Sequence, residues 1–352
     1  MIQLTADIDP EYKIVPGMFY DFDDSWTIIR DVETRVLKQN GELLCHYKPG
    51  ALSEDLCRLA IESYLDAGKI ISTNRGVAGG MQHREIRNTF EKGTPVNSNI
   101  IGYIDSLNHK RPCRLTYFSK KYFEKYTAGL PFIREIDKLY SEIVPAKYQA
   151  QQSGISMAPD FKIADTVFST VTVNYNFRTA LHTDSGDYRD GFGNLVVCSR
   201  DCTGGQLLFP AYKVAIEMRN GDYLAMDVHE SHCNAPIYGE GFRLSFVCYL
   251  REKMYKCSEI NRVLDTLDVS GNWNTEVVFK KIFENIGENL PEKVCVPGTK
   301  WWSMTAGRFC LTYKNKRYEL YDSIAQKKIH NLMEALKYTH LIFDISVRSE
   351  TS

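Results

Sequence analysis

Two residues with metal-binding side chains, His182 and Asp184, lie two positions apart at the end of the stretch Thr172–Asp184. Side chains alternate between the two faces of a β-strand, so residues two apart point to the same face. One imidazole and one carboxylate can therefore reach a single ion. A second imidazole would complete a facial set of two histidines and one carboxylate, which leaves coordination positions open for a chelating ligand and oxygen.

Two histidines further along the chain are candidates for the third ligand. His229 and His232 lie in the segment Asp227-Val-His-Glu-Ser-His, so either imidazole can reach the ion. Ten residues separate His232 from Arg243, which precedes Ser245 by two positions. Arg243 and Ser245 share a strand face, where a guanidinium and a hydroxyl can bind one carboxylate. A 2-oxo diacid that chelates a metal needs both a metal site and a second group that binds its far carboxylate, and Arg243 with Ser245 could be that group.

The alternation of side chains also makes a prediction for the residues before His182. If that strand is unbroken, Asn176 and Arg178 face the same way as His182, and Tyr175 and Phe177 face the opposite, packed side. A polar strand face is costly to bury unless its groups meet a ligand or water. Asn176 and Arg178 are therefore candidate contacts to a co-substrate or substrate, with a structural hydrogen-bond network as the alternative.

The elements around these residues predict a β-rich core over residues 166–251. Many short strands at about ten-residue spacing, separated by glycine-containing turns, favour a sandwich or jelly roll. Four stretches rich in β-branched or aromatic residues are the predicted strands: Val167–Thr179, Gln206–Phe209, Tyr223–Asp227 and Arg243–Leu250.

Helices are predicted to flank this core on its N-terminal side, in residues 1–165. Ser53 is a typical N-cap for a helix that ends near Gly68, and a second helix runs from Pro131 and stops before Pro145. The glycine-rich segment Asn74–Gly80 between them is a loop, either a plain surface loop or one that approaches a ligand.

The C-terminal residues 252–352 are predicted to form an α/β appendage, a candidate substrate-binding region. It has a strand around Trp302 and a helix from Ser323 to Tyr338. The expected fold class is therefore α+β, a jelly-roll core flanked by N-terminal helices, with domains at 1–251 and 252–352.

Composition limits the classes of function. The net charge is −1, so overall charge does not attract nucleic acid or membrane. No apolar run reaches membrane-spanning length, and the absence of a C-x-x-C pair removes zinc-ribbon and thioredoxin-type motifs. The polar N-terminus lacks a secretory signal, which predicts an intracellular protein, nuclear if eukaryotic.

Two local patches could still bind nucleic acid. In the segment from His109 to Tyr126, basic residues that include Lys120 and Lys121 alternate with aromatic ones, as phosphate binding combined with base stacking requires. Residues 300–340 carry eight Lys or Arg and three Asp or Glu. The alternative for both patches is an ordinary solvated surface.

The sequence resembles the TET/JBP family of 2-oxoglutarate dioxygenases, which oxidise methylated pyrimidines in nucleic acid. The chain lacks the cysteine-rich zinc region of animal TET proteins, and it is too short for the large extra DNA-binding region of base-J-binding proteins. The resemblance covers roughly residues 70–250, in these stretches: Ser98–Asp105, Arg114–Phe118, Asn174–Asp187, Gly191–Leu195, Gly204–Pro210, Gly221–Asp227, His232–Pro236 and Arg243–Ser245.

The resemblance implies a double-stranded β-helix, iron(II) ligation by His182, Asp184 and His232, and 2-oxoglutarate anchoring by Arg243. The family interval between the last histidine and the arginine favours His232 over His229. The implied reaction decarboxylates 2-oxoglutarate to succinate and carbon dioxide while a substrate methyl group is hydroxylated.

Three hypotheses of the function follow. The first is hydroxylation of the 5-methyl group of 5-methylcytosine or thymine in DNA, with Asp187, His229, Lys120 and Lys121 as candidate substrate contacts and base flipping required for a duplex. Ascorbate in place of 2-oxoglutarate is a variant of this reading. The second is the same chemistry on a protein side chain or a free small molecule, and the third is a non-catalytic DNA-binding module.

Overall fold

The computed structural model describes residues 1–81, 94–105, 113–254, 294–295, 297, 299, 302–306, 309–314, 317–322 and 327–329. By their internal contacts, residues 1–102, 116–153 and 163–252 form one compact unit, and 103–115, 154–162 and 253–352 form a second. Within the described ranges, no helix is both long and apolar enough to cross a membrane.

The described strands are numbered in chain order. They are β1 (Ile2–Ala6), β2 (Thr27–Ile29), β3 (Thr34–Lys38), β4 (Leu43–Lys48), β5 (Ile71–Ser72), β6 (Val96–Ile104), β7 (Arg114–Leu115), β8 (Thr170–Tyr175), β9 (Gly193–Arg200), β10 (Thr203–Gly204), β11 (Leu207–Phe209), β12 (Val214–Ile216), β13 (Tyr223–Met226), β14 (Cys233–Asn234), β15 (Ile237–Tyr238), β16 (Phe242–Tyr249), β17 (Val294–Cys295), β18 (Trp302–Ala306), β19 (Phe309–Lys314), β20 (Arg317–Asp322) and β21 (Lys327–Ile329).

The described α-helices all precede β8. The α-helices are α1 (Glu54–Gly68), α2 (Tyr117–Lys121), α3 (Phe123–Ala128), α4 (Leu130–Ile143) and α5 (Pro145–Ser156). Short 3₁₀ turns occupy Gly76–Gly79, Pro159–Phe161 and Pro210–Tyr212.

Two sheets form the framework of the first unit. The larger has the strand order β1-β3-β4-β13-β9-β16-β8-β6-β5, and the smaller has the order β14-β11-β12-β2. From β8 onward the chain alternates between them, because β8, β9, β13 and β16 lie in the larger sheet and β11, β12 and β14 in the smaller. Apolar side chains from both sheets meet in one buried core, among them Leu195 and Leu224 from the larger and Leu207 and Ile216 from the smaller. This arrangement is a jelly roll, and it confirms the predicted α+β class.

A layer of helices covers the other face of the larger sheet. The end of α1 packs so tightly there that a Cβ on Gly68 would lie 2.9 Å from Leu244 Cδ2 and 3.4 Å from Val173 Cγ1. Ser53 caps α1 as predicted, since its Oγ accepts a hydrogen bond from Leu56 N at 3.3 Å. The other helices continue this layer, with α3 and α4 packed beside α1.

Three of the four predicted core strands are confirmed with small shifts of their ends, as β11, β13 and β16. The predicted strand Val167–Thr179 is shorter, because β8 ends at Tyr175 and Asn176 has a left-handed φ of 45°. The strands β9 and β12 were not predicted. The helix that begins near Pro131 is confirmed as α4, and α5 starts at Pro145, where the sequence predicted only a stop.

In the second unit, the described C-terminal residues form an antiparallel sheet with the order β17-β18-β19-β20-β21. The predicted strand around Trp302 is a pair of strands, β18 and β19. The helix predicted from Ser323 to Tyr338 is wrong for Lys327–Ile329, which form β21, and the rest of that prediction lies outside the described residues. A substrate-binding role for this region stays a prediction.

Candidate active site

The three predicted metal ligands come together where two irregular segments run side by side. His182 and His232 form an isolated β-bridge, in which His182 N donates to His232 O at 3.0 Å and His232 N donates to His182 O at 2.9 Å. Asp184 N donates to Val228 O at 2.9 Å. Backbone hydrogen bonds therefore position all three ligands.

The side chains of these residues point at one place. His182 Nε2 lies 3.7 Å from Asp184 Oδ1, and His232 Nε2 lies 3.6 Å from Asp184 Oδ2. The donor atoms of the three residues all lie within 4.8 Å of one another. Two imidazoles and a carboxylate on one side of an ion are the donor set of a facial triad, which suits iron(II).

Each histidine is oriented through its other ring nitrogen. His182 Nδ1 lies 2.8 Å from Ala180 O, and His232 Nδ1 lies 2.8 Å from Glu230 O. Donation from Nδ1–H to a carbonyl leaves the Nε2 lone pair free for a metal. Burial, followed by the nearby His182, lowers the pKa of His232 to about 4, so this imidazole is neutral at pH 7.

His229, the rival third ligand, lies outside this cluster. Its Nδ1 is 3.3 Å from Asp227 Oδ1, and its Nε2 is 3.4 Å from Asp187 O. The hydrogen bond with Asp227 is the main cause of a raised His229 pKa, and burial opposes it. His229 thus contacts the backbone of a residue beside the metal cluster, and His232 is the histidine in ligand position.

A cavity of about 440 Å³ opens from the metal cluster between the two sheets. Arg243 and Ser245 line it, and both are buried. Within the described part of the chain, Nε and Nη2 of Arg243 have no hydrogen-bond partner. Burial lowers the pKa of this guanidinium to about 10, so it remains charged at pH 7. An unpaired buried charge is costly, and a carboxylate of 2-oxoglutarate would satisfy it.

The glycine at position 205 leaves space for the guanidinium of Arg243. A Cβ on Gly205 would lie 2.9 Å from Arg243 Nε. On the neighbouring strand, Asn174 also faces the cavity, where its Nδ2 lies 3.4 Å from Ser245 Oγ and its Oδ1 accepts a short hydrogen bond from Ser98 Oγ. Arg243, Ser245 and Asn174 therefore form a polar end of the cavity that fits a carboxylate.

The two other predicted co-substrate contacts do not line this cavity. Asn176 Oδ1 accepts a hydrogen bond from Arg243 N at 2.6 Å, and Asn176 Nδ2 donates to Gly241 O at 3.4 Å. Arg178 donates to Tyr20 O, to Asp21 Oδ1 and to Asn234 O. The alternation that led to this prediction holds at Asn174, which lines the cavity, but it fails after Tyr175, because the left-handed Asn176 reverses it and turns Phe177 into the cavity instead.

Further residues line the cavity on the side of Asp184, and the sequence indicated two of them. Asp187 is buried there as a candidate substrate contact, and its pKa is raised by burial and then by Asp184. The glycine-rich loop brings Arg75 into the cavity, with an Nε that is buried and unpaired within the described residues. Tyr249 was not singled out from the sequence, although it lies at the end of a predicted strand.

Lys120 and Lys121 lie on α2, and they do not line the cavity. Of the aromatic residues beside them, Tyr117, Tyr122 and Phe123 are exposed, whereas Phe118 and Tyr126 are buried in the packing of the helices. Lys121 Nζ lies 5.3 Å from the Tyr117 ring centroid and 5.2 Å from that of Tyr122. DNA binding by this patch stays a prediction, and its N-terminal part, His109 to Arg111, lies outside the described residues.

Comparisons with known proteins identify similar sequences and a similar structure. Residues 99–252 match the family Tet_JBP, the oxygenase domain of the 2OGFeDO superfamily. The bifunctional helicase and thymine dioxygenase JBP2 of Leishmania tarentolae is 32% identical over 259 residues, which are 71% of this chain and 22% of that protein. The thymine dioxygenase JBP1 of Trypanosoma brucei brucei is 33% identical over 174 residues, 47% of this chain and 20% of that protein. The chain thus spans about a fifth of these relatives.

A solved structure of NgTET1 in complex with 5mC DNA is similar at 14% sequence identity and a TM-score of 0.48, over 72% of this chain and 83% of that one.

Proposed function

Because residues 99–252 match the Tet_JBP oxygenase-domain family, we propose that this protein is an iron(II)- and 2-oxoglutarate-dependent dioxygenase that hydroxylates the 5-methyl group of a pyrimidine in DNA. One observation carries the proposal: the metal-ligand cluster lines the same cavity as the buried Arg243, whose Nε and Nη2 have no hydrogen-bond partner among the described residues. The relatives named as thymine dioxygenases favour a methylated pyrimidine as the substrate, and the resemblance to the TET/JBP family implies that this base lies in nucleic acid. Thymine and 5-methylcytosine are the two candidate bases.

His182, Asp184 and His232 would hold the iron, and Arg243 with Ser245 would hold the far carboxylate of 2-oxoglutarate. When bound, iron(II) and 2-oxoglutarate supply oxygen activation, coupled to decarboxylation of the 2-oxo acid to succinate. The chain itself supplies orientation. The two Nδ1–carbonyl contacts fix the imidazole rings, and charge-assisted hydrogen bonds from Arg243 select a carboxylate at a set position.

The substrate would enter on the side of Arg75, Asp187 and Tyr249. Arg75 offers a cation, and burial lowers its pKa. Tyr249 offers an aromatic ring at the cavity wall, and the Asp187 carboxyl offers a polar group near Asp184. An aromatic ring beside polar groups is the kind of pocket that accepts a base displaced from the helix. The buried apolar side chains of the cavity wall, Leu195, Leu207 and Val228, would limit the access of water to the reacting methyl group.

The proposal is tested with iron(II), 2-oxoglutarate and oligonucleotides that contain either thymine or 5-methylcytosine, followed by mass spectrometry of the nucleosides. We expect a gain of one oxygen atom on one of the two bases, matched by succinate. Unchanged nucleosides together with turnover of a peptide or a free small molecule would support the second reading instead. Repeating the reaction with ascorbate in place of 2-oxoglutarate tests the other co-substrate.

DNA binding without turnover in any of these reactions would support a non-catalytic module. An enzyme inactivated by His182→Ala but still able to bind DNA would support the dioxygenase.

A further inference from the structure

Lys38, at the end of β3, lies between two acidic residues that belong to the segment carrying the ligand His232. Its Nζ is 2.8 Å from Asp227 Oδ2 and 2.7 Å from Glu230 Oε1. The Lys38 side chain is only 13% exposed. Ion pairs in such a position are less screened by water than surface pairs, and removing one partner leaves an uncompensated charge.

The segment from Asp227 to His232 serves two of the three metal ligands. Glu230 O lies 2.8 Å from His232 Nδ1, and Val228 O accepts the hydrogen bond from Asp184 N. The carbonyl of Glu230 therefore orients the imidazole of His232, and the carbonyl of Val228 positions the backbone of Asp184. Lys38 contacts this segment at two points, the side chains of Asp227 and Glu230.

Further contacts surround the ion pairs of Lys38 with Asp227 and Glu230. Asp227 N donates to Leu44 O on β4, at 2.9 Å, which ties the backbone of Asp227 to the strand that follows Lys38. Burial would lower the pKa of Lys38, but hydrogen bonds to Asp227 and Glu230 outweigh it and raise the pKa above its ordinary value. Burial, followed by the Glu230 carboxylate, raises the pKa of Tyr212 to about 12, so Tyr212 is a neutral neighbour of that carboxylate. The ammonium of Lys38 thus contacts both carboxylates. Asp227 Oδ1 also lies 3.3 Å from His229 Nδ1, and Glu42 Oε2 lies 3.6 Å from Lys38 Nζ.

We infer that Lys38 is a positioning residue for the metal centre, which holds the Asp227–His232 segment so that His232 and Asp184 face the same ion. The inference does not depend on DNA as the substrate. It assigns part of the metal-site geometry to a strand outside residues 99–252, the stretch that matches the oxygenase family. Groups that orient metal ligands from the second layer typically change metal affinity by about 10–100-fold when they are removed.

The test measures Mn(II) binding to the full chain, without DNA, by isothermal titration calorimetry. We expect Lys38→Met to raise the Kd for Mn(II) by about 10-fold or more, and Lys38→Arg to restore most of the affinity because it keeps the charge. The matched control is Lys213→Met, which removes a half-exposed lysine that lies 3.0 Å from Asp9 in an ion pair. The control should bind Mn(II) as the wild type does.

Glu230→Gln provides a milder variant should Lys38→Met fold poorly, since it removes only the ion pair between Lys38 and Glu230 and keeps the backbone carbonyl of residue 230. We expect a smaller rise in the Kd for Mn(II). Wild-type affinity in both Lys38→Met and Glu230→Gln would overturn the role of Lys38 alone, and so would an equal loss in Lys213→Met. Absence of Mn(II) binding to the wild type would overturn the metal site, and with it the proposed function.

Discussion

His182 and His232 hydrogen-bond to each other through both of their backbone amides, at 3.0 and 2.9 Å. Their imidazole rings consequently lie side by side, with centroids 4.4 Å apart. Because Asp184 N also donates to Val228 O, backbone hydrogen bonds between two segments set the positions of the metal ligands. Four predictions follow from the residues around this pair.

The two candidate histidines are expected to behave differently on substitution. His232→Ala should abolish Mn(II) binding, a larger loss than the roughly 10–100-fold that an outer residue produces. His229→Ala should weaken Mn(II) binding by no more than that roughly 10–100-fold, because His229 contacts Asp227 and Asp187 O rather than the metal-ligand cluster. Isothermal titration calorimetry with Mn(II) measures both. Loss of binding in His229→Ala with retention in His232→Ala would reverse the assignment.

Arg243→Met is expected to stabilise the protein without its co-substrate and to weaken 2-oxoglutarate binding. The substitution removes unsatisfied buried donors, each of which costs about 1–3 kcal/mol, so urea denaturation should give a larger free energy of unfolding. Hydrogen bonds to charged groups contribute about 1.5–3 kcal/mol, so the Kd for 2-oxoglutarate should rise by about 10–100-fold. Arg200→Met, at an exposed position at the end of β9, is the control. A lower unfolding free energy in Arg243→Met would mean that Arg243 is paired within the protein.

Arg75→Ala is expected to weaken the binding of the DNA substrate and to leave the binding of 2-oxoglutarate unchanged. Loss of a charged hydrogen bond of about 1.5–3 kcal/mol should raise the KM for DNA by about 10-fold or more. The KM for 2-oxoglutarate, measured as succinate formed, should not change. Arg58→Ala, on the exposed face of α1, is the matched control. An increase in the KM for 2-oxoglutarate alone would place Arg75 at the co-substrate instead.

Asn176→Ala is expected to lower the free energy of unfolding and to affect 2-oxoglutarate binding only indirectly. It places Ala in a left-handed conformation, which costs about 1–2 kcal/mol relative to residues that adopt it readily, and it removes the acceptor for Arg243 N. Asn176→Gly removes the same acceptor but tolerates the positive φ, so it should be less destabilised in urea denaturation. Equal losses in the two variants would show that the hydrogen bond, not the backbone conformation, matters at this position.

The donor types of the site could be predicted from the sequence because each depends on local spacing. His182 and Asp184 lie two residues apart, and Arg243 and Ser245 lie two apart on a strand that the structure confirms as β16. The same rule was wrong upstream, where one residue of positive φ ended β8 and reversed which side chains face the cavity. Alternation holds only while the backbone stays extended, and a single left-handed asparagine is not visible as a break in the pattern.

The sequence by itself determined the kinds of group that this protein can bring to a metal and a carboxylate, and the β-rich framework that carries them. Only the tertiary structure decided that His232 rather than His229 faces Asp184. It also brought Arg75 from a glycine-rich loop into the cavity, and it placed Lys38 against Asp227 and Glu230. The physical reason is that the spacing of residues along one β-strand determines to which face their side chains point. Which distant segments meet depends on sheet pairing and buried packing, which no short stretch of residues encodes.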